Sequence, residues 1–339
     1  MTRLQIVLLF FLLVFTSCRN KRPEYSTITG FAQGSTYNMI FENSKHLDPS
    51  AVNNRVGQIL HAFDLSLSLY VDSSIVSRIN RNDTVTCDSF FIENFEKSRK
   101  IWQLTGGAFD VTVAPLVKAW GFGPDAHKNI SDAKRDSILK LVGMEKVELR
   151  DRKIIKSDPR ITLDFNAIAQ GYSVDVMCMF FDGLGIKNYL VEIGGEVRVK
   201  GEKAGKLWRI GIDKPVDDNM IPGSDLEAVI SLKDKAISTS GNYRKFYVEN
   251  GIKYSHEIDP KTGNPARNTL LSASILADEC ATADGIATAC MVIGKDNAIE
   301  FLNLHHEYEG YLIYSDESGN FRTWTSEKLK SSISESGNK

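Results

Sequence analysis

Cysteine is scarce in this chain: there are five in 339 residues. None forms a Cys-x-x-Cys pair, and no Cys/His spacing suits zinc or an iron–sulfur cluster. Charge of one sign is also lacking, with 41 Lys and Arg against 43 Asp and Glu and a formal net charge of −2. No Lys/Arg run offers a surface for tracking a nucleic-acid backbone, so nucleic acid is excluded as a partner and recognition must be local. No segment repeats at a period of roughly 20–50 residues, which excludes solenoids and propellers. No apolar run reaches the roughly 20 residues that a spanning helix needs. What remains is an ordinary globular composition, 42% hydrophobic and 25% charged, in a chain long enough for one large domain or two intimate ones.

The amino-terminal segment stands apart. Arg3 supplies a positive charge, and Leu4 to Phe15 is apolar apart from Gln5. This is the pattern of a secretory signal core. The small residues Thr16 and Ser17 then precede Cys18, an arrangement that resembles a bacterial lipobox. The resemblance implies cleavage before Cys18 and lipidation of its thiol; the alternative is an ordinary signal in which Cys18 is incidental. Residues 1–17 are read as the signal and residues 18–29 as the lipidated cysteine and a tether. A domain then spans 30–326, and residues 327–339 are expected to be a disordered, Ser/Lys-rich tail. The remaining cysteines, Cys87, Cys178, Cys280 and Cys290, are expected to be buried free thiols.

Within the domain, Asp48-Pro49 starts a helix with Val52, Val56, Ile59, Leu60 and Phe63 on one face. Further helices are expected over Ser89–Leu104, from the Ser131 cap to Leu141, from Ala167 towards Phe181, and over Ala281–Ile293. Strands are expected at 189–193, 197–200, 208–212, 270–276, 308–314 and 321–324. Asn250-Gly251 between short apolar runs signals a two-residue hairpin. Helices and antiparallel-looking strands interleave without a βαβ alternation, so the fold class is α+β.

Five segments combine glycine, carboxylates and small polar residues beyond what a core requires: Gln33–Tyr37, Asp64–Asn80, Thr105–Leu116 continuing to Gly123, Leu163–Asp175, and a late group. The late group holds Ser238–Tyr243, His256–Pro260, Thr262-Gly263, and Asp284 with Thr288. Asp284 and Thr288 are four apart on an expected helix and share a face. A carboxylate and a hydroxyl are hard oxygen donors suited to Mg²⁺; the plainer reading is a helix cap and a packing residue. Asp164 suits either an N-terminal cap or a ligand contact. Phe109 and Tyr70 are candidate neighbours of a ring system or plain packing residues. Gly194-Gly195-Glu196 reads as a turn that lines a site or as a tight strand connection. His256 is the histidine inside a motif, placed to act as a general base or to orient a phosphate.

In combination and order, these segments resemble the ApbE family from Gly30 to Trp324. The resemblance implies a compact, T-fold-like α+β domain of mostly antiparallel sheet. It implies an FAD:protein FMN transferase that moves FMN from FAD to a Thr or Ser hydroxyl and releases AMP. It implies Mg²⁺ held by Asp284, Thr288 and the Ala167 carbonyl, with FAD as substrate. Cofactor contacts fall on Gln33, Tyr70, Ala108, Phe109, Asp110, Asp164, Gln170 and Ile258, and catalysis on His256 and Asp284. Gln170 departs from the Lys common in the family, Gln33 from Met, and Ser35 from Thr. Implied acceptors are flavin-carrying subunits of membrane redox complexes of the NADH:quinone reductase or Rnf type. The implied location is the periplasmic side of a bacterial membrane, the inner membrane in preference to the outer. Alternatives are Mg²⁺-dependent FAD hydrolysis to FMN and AMP, and a non-catalytic FAD-binding lipoprotein.

Overall fold

Side-chain caps set half of the described α-helix starts. The computed structural model describes residues 23–122, 130–216, 223–242, 246–249, 252–255 and 257–335. Helix α1 (Pro49–Leu67) begins where expected: the Asp48 carboxylate accepts the Ser50 N–H at 3.0 Å and Pro49 takes the first helical position. Ser74 caps α2 (Ile75–Asn80), and Asp88 caps α3 (Ser89–Leu104). Helix α4 (Ala114–Ala119) is followed by α5 (Asp132–Leu139), whose cap is Ser131. Three longer-range elements complete the set: α6 (Ala169–Gly183), α7 (Cys280–Ile293) and α8 (Lys295–Leu304). Helix α8, beyond the expected last helix ending at Ile293, is an addition to the expected elements and buries Ala298 and Leu302.

The central sheet is formed by β1 (Tyr25–Ala32), β2 (Ser35–Glu42), β5 (Tyr189–Ile193), β6 (Glu196–Lys200), β9 (Ala236–Gly241), β12 (Leu270–Ala277), β13 (Glu309–Ser315) and β14 (Phe321–Thr325), side by side in that order. Every pairing in it is antiparallel. A second sheet places β8 (Leu226–Leu232) between β7 (Trp208–Asp213) and β15 (Ile333–Glu335). Hairpins β3 (Val147–Arg150) with β4 (Lys153–Lys156) and β10 (Phe246–Glu249) with β11 (Ile252–Ser255) complete the strands. The α+β expectation holds.

Strand alternation sorts the core into two layers. On one face of the central sheet, Val191, Ile193, Ala273, Ile275 and Leu312 pack with α1, α3, α6 and α7. On the other, Val197, Val199, Ile237, Leu276, Tyr311 and Ile313 meet Trp208, Ile212, Ile230 and Leu232 of the small sheet. The four cysteines are buried free thiols, as expected, and burial pushes the Cys290 thiol up to about 12.

Two boundaries need correction. The segment assigned to a tether already contains β1, which pairs with β2 from Tyr25↔Glu42 onward. The segment assigned to a disordered tail contains a 3-10 turn, Glu327–Ser331, with Leu329 fully buried, and β15 paired to β8. Both segments are polar because they form edges: a few apolar side chains are enough to dock an edge, and the rest face water.

Candidate active site

Helices α6 and α7 cross closely because Gly171 has no side chain. A Cβ there would lie 2.6 Å from the Cys280 carbonyl oxygen and 2.9 Å from Asp284 Cβ. The contact has a polar consequence. The Gly171 N–H belongs to the first turn of α6, where backbone donors have no partner within the helix, and it donates to Asp284 Oδ2 at 3.1 Å. Ala167 precedes Ile168, the N-cap of α6, so its carbonyl stands outside the helical ladder. Asp284 is 5% exposed, and burial pushes its carboxyl up to about 7; the neighbouring Asp175 charge adds to the rise, and the Gly171 N–H and nearby Ser238 hydroxyl oppose it. Thr288 lies one turn further along α7, with its hydroxyl 3.3 Å from that of Ser240 on β9.

These groups face a cleft of about 500 Å³, within the usual size of a small-molecule site. Its acidic lining is Asp110, Asp164, Glu196, Glu257 and Asp284, and no described lining residue is Lys, Arg or His. Its apolar lining includes Val113, Val117, Phe122 and Val292. The Ile258 wall is braced from behind: Ile258 packs with Leu116, Trp120 and Val142, and the Trp120 indole N–H donates to the Gly263 carbonyl at 2.7 Å. The following turn is tied by Asp259, which accepts from the Lys261 N–H at 2.8 Å and the Thr262 hydroxyl at 2.9 Å.

A family model described as the ApbE family matches residues 33–312. The chain belongs to the ApbE family. An FAD:protein FMN transferase of Vibrio cholerae is 33% identical over 330 residues, covering 92% of this chain and 97% of the relative. One from Haemophilus influenzae is 34% identical over 328 residues, covering 91% and 92%. Among solved structures, the flavin transferase ApbE from Vibrio cholerae superposes with a TM-score of 0.81 at 32% identity, covering 91% of this chain and 99% of that one. The apo flavinyl transferase ApbE of Pseudomonas stutzeri gives 0.82 at 28% identity, covering 91% and 98%.

Within this ApbE cleft, the structure gathers Tyr70, Ala108, Phe109, Asp110, Asp164, Ala167, Gln170, Ile258, Asp284 and Thr288. It distinguishes among them. Tyr70 is 83% exposed at the mouth, whereas Phe109 is 2% exposed and its ring lies against Gly285 of α7. Phe109 therefore supports the wall more than it presents a face. Both Asp110 oxygens are tied to the chain: Oδ1 accepts from the Thr112 N–H at 2.8 Å and hydroxyl at 2.5 Å, and Oδ2 from the Met144 N–H at 3.1 Å. Asp164 accepts from the Asn166 N–H at 2.8 Å, a local turn just ahead of α6.

Gln33 lies outside the lining. It forms, with Gly34, the two-residue turn of the β1–β2 hairpin, both residues at positive φ (55° and 72°). Its Oε1 accepts from the Ser173 hydroxyl at 3.0 Å, and its buried Nε2 has no partner among the described residues. His256 and Cys18 lie outside the described residues. Glu196, in the turn read as lining a site or as a tight strand connection, lines the cleft, and so do Asn166, Ser240 and Glu257, which the sequence does not single out. All four fall inside or beside the flagged segments, so the signal was regional.

Proposed function

We infer that this chain is an FAD:protein FMN transferase that works through a divalent cation, Mg²⁺. The observation that carries the cation is the cleft itself. FAD brings a negatively charged pyrophosphate, and the described lining offers carboxylates and no basic side chain. A divalent cation between them would offset this repulsion. The donors in place are the Asp284 carboxylate, the Thr288 hydroxyl and the Ala167 carbonyl just ahead of α6, all oxygens, which suits Mg²⁺ and not a thiolate- or imidazole-seeking metal. Among the described residues, no group of three or more His, Cys, Asp or Glu side chains is arranged to hold a metal; this set uses one carboxylate and leaves positions for water and phosphate.

When bound, the ion neutralises charge on the transferring and leaving phosphate oxygens. The chain's own residues do the rest. Asp284 and Thr288 hold their oxygens one helical turn apart, and the apolar walls around Val113, Phe122 and Ile258 exclude water from the phosphorus. Tyr70 offers a ring at the mouth, and Gln170 supplies an uncharged hydrogen-bonding group. The oxygen of an acceptor Thr or Ser bonds to the phosphorus on the FMN side, and the pyrophosphate P–O bond breaks. AMP departs with the bridging oxygen. The hydroxyl proton goes to a base, a role assigned to His256 on the strength of its motif.

We further propose that Cys18 is lipidated and anchors the domain on the periplasmic side of a bacterial membrane, the inner one in preference. This rests on the charged start, apolar core and small residues before Cys18. An anchor there suits acceptors that are flavin-carrying subunits of membrane redox complexes of the NADH:quinone reductase or Rnf type. The test is to mix the purified chain with FAD, Mg²⁺ and a candidate acceptor domain and to weigh the acceptor by mass spectrometry. One added FMN on a Thr or Ser, absent after chelation, supports the transfer reading. AMP release with an unmodified acceptor would replace it with FAD hydrolysis, and intact bound FAD with a carrier.

A further inference from the structure

Asp175 does not line the cleft, yet it joins α7, which carries Asp284 and Thr288, to α6, which follows Ala167. It lies one turn beyond Gly171 on α6 and is 3% exposed. Its Oδ1 accepts the Cys280 N–H at 2.9 Å, and its Oδ2 accepts the Ala281 N–H at 2.9 Å. These are the first residues of α7, whose own N-cap, Glu279, makes no side-chain capping bond. A carboxylate from another helix thus does the work that a local Ser or Asp does elsewhere in this fold. Arg198 on β6 donates to Asp175 Oδ1 at 2.6 Å and balances the buried charge.

The grip is therefore double. At Gly171 the backbone of α6 holds the Asp284 side chain; one turn later, the Asp175 side chain holds the backbone that starts α7. Ala167, Gly171 and Asp175 are spaced four apart, so they follow one stripe along α6 and the turn before it. Mg²⁺ requires near-octahedral oxygens at about 2.0–2.1 Å, so the register of α6 against α7 decides whether the Ala167, Asp284 and Thr288 oxygens converge.

We propose that Asp175, neutralised by Arg198, is a positioning residue that fixes this register and so assembles the cation site. The proposal rests on the metal-dependent transferase reading. The test is Asp175→Asn in the otherwise unchanged chain, which keeps the side-chain shape but offers the two N–H groups one acceptor oxygen in place of two. Two readouts are taken: Mn²⁺ binding followed by electron paramagnetic resonance, and the Mg²⁺ concentration giving half-maximal FMN transfer. The expected result is a loss of Mn²⁺ affinity of roughly 10- to 100-fold, with turnover approaching wild type at saturating Mg²⁺ and rescue by Asp175→Glu. Unchanged Mn²⁺ affinity in a folded Asp175→Asn protein overturns the proposal, as does a turnover loss that Mg²⁺ cannot restore. If that variant fails to fold, Arg198→Gln takes its place; a smaller loss of Mn²⁺ affinity is expected, and no change overturns the proposal. Asp284→Ala separates the two levels. If wild type and Asp284→Ala bind Mn²⁺ alike, the metal assignment itself fails; if Asp284→Ala alone loses the ion, only the role of Asp175 fails.

Discussion

The two faces of the central sheet are built from different materials. The face towards β7, β8 and β15 is closed by interlocking apolar side chains, among them Val199, Trp208, Ile230 and Ile313. The face towards α6 and α7 is also apolar, but it buries Asp110, Asp175, Glu196 and Asp284 close to the cleft. Buried carboxylates are costly unless hydrogen-bonded or neutralised. Burial raises the pKa of all three Asp carboxyls; Asp110 and Asp175 are each tied by several bonds from the chain, whereas Asp284 accepts one backbone N–H and is pushed up to about 7. One face thus supplies stability, and the other spends part of it on holding oxygens in place for a ligand.

The largest effect should come from Asp284. Asp284→Ala is expected to abolish FMN transfer while leaving the circular dichroism spectrum intact. Asp284→Asn sharpens the point through pH. The folded carboxyl sits near 7 and the unfolded one near its ordinary 3.8. In metal-free protein its favourable contribution is therefore complete below about pH 4 and is lost as pH rises towards 7. Above pH 7, metal-free Asp284→Asn should melt higher than metal-free wild type, and the gap should close as pH falls towards 4. Added Mg²⁺ should raise the melting temperature of wild type alone. Melting curves that run parallel across this range would remove the argument for an uncompensated carboxylate.

Gly171→Ala should come next. Its Cβ would strike the Cys280 backbone and Asp284 Cβ, forcing α6 from α7 at a cost of about 1–3 kcal/mol. The accompanying rise in the Mg²⁺ requirement for transfer, measured by metal titration of initial rates, should exceed what the stability loss alone brings. On the opposite face, Ile230→Ala should reverse the pattern. Ile230 is fully buried, so the stability loss should be about 2–5 kcal/mol in denaturant titrations. Transfer kinetics measured well below the new melting temperature should stay near wild type. An Ile230→Ala protein with altered Mg²⁺ dependence would show that the two faces are not separable.

The legibility of the sequence followed the range of the interactions involved. Helices whose starts are written locally, at Asp48-Pro49 and Ser131, were read to within a residue or two at their first turns, because a cap involves neighbours in sequence. Helix α7 was also placed to within a residue, at Ala281, because its apolar run is local; what no window around Cys280 contains is its cap, a carboxylate 105 residues away. The β1–β2 hairpin was missed as a hairpin because its turn, Gln33-Gly34, sits inside a segment that reads as a ligand motif. Strand β15 was missed because its composition is that of a solvated edge.

By itself the sequence determined the class of fold, the family resemblance and the neighbourhood of the site, since residue type, spacing and periodicity carry those directly. Asp284 and Thr288 at a spacing of four announce one shared helical face in any fold that makes the helix. Only the tertiary structure decided which candidates present themselves to a ligand. It set Tyr70 at the mouth, turned Phe109 into the wall, tied Asp110 to its own loop and withdrew Gln33 to the hairpin. It also showed that the Gly171 N–H, in the first turn of α6, holds the Asp284 carboxylate. These outcomes depend on distances between segments remote in sequence, and such distances are fixed only when the core closes around them.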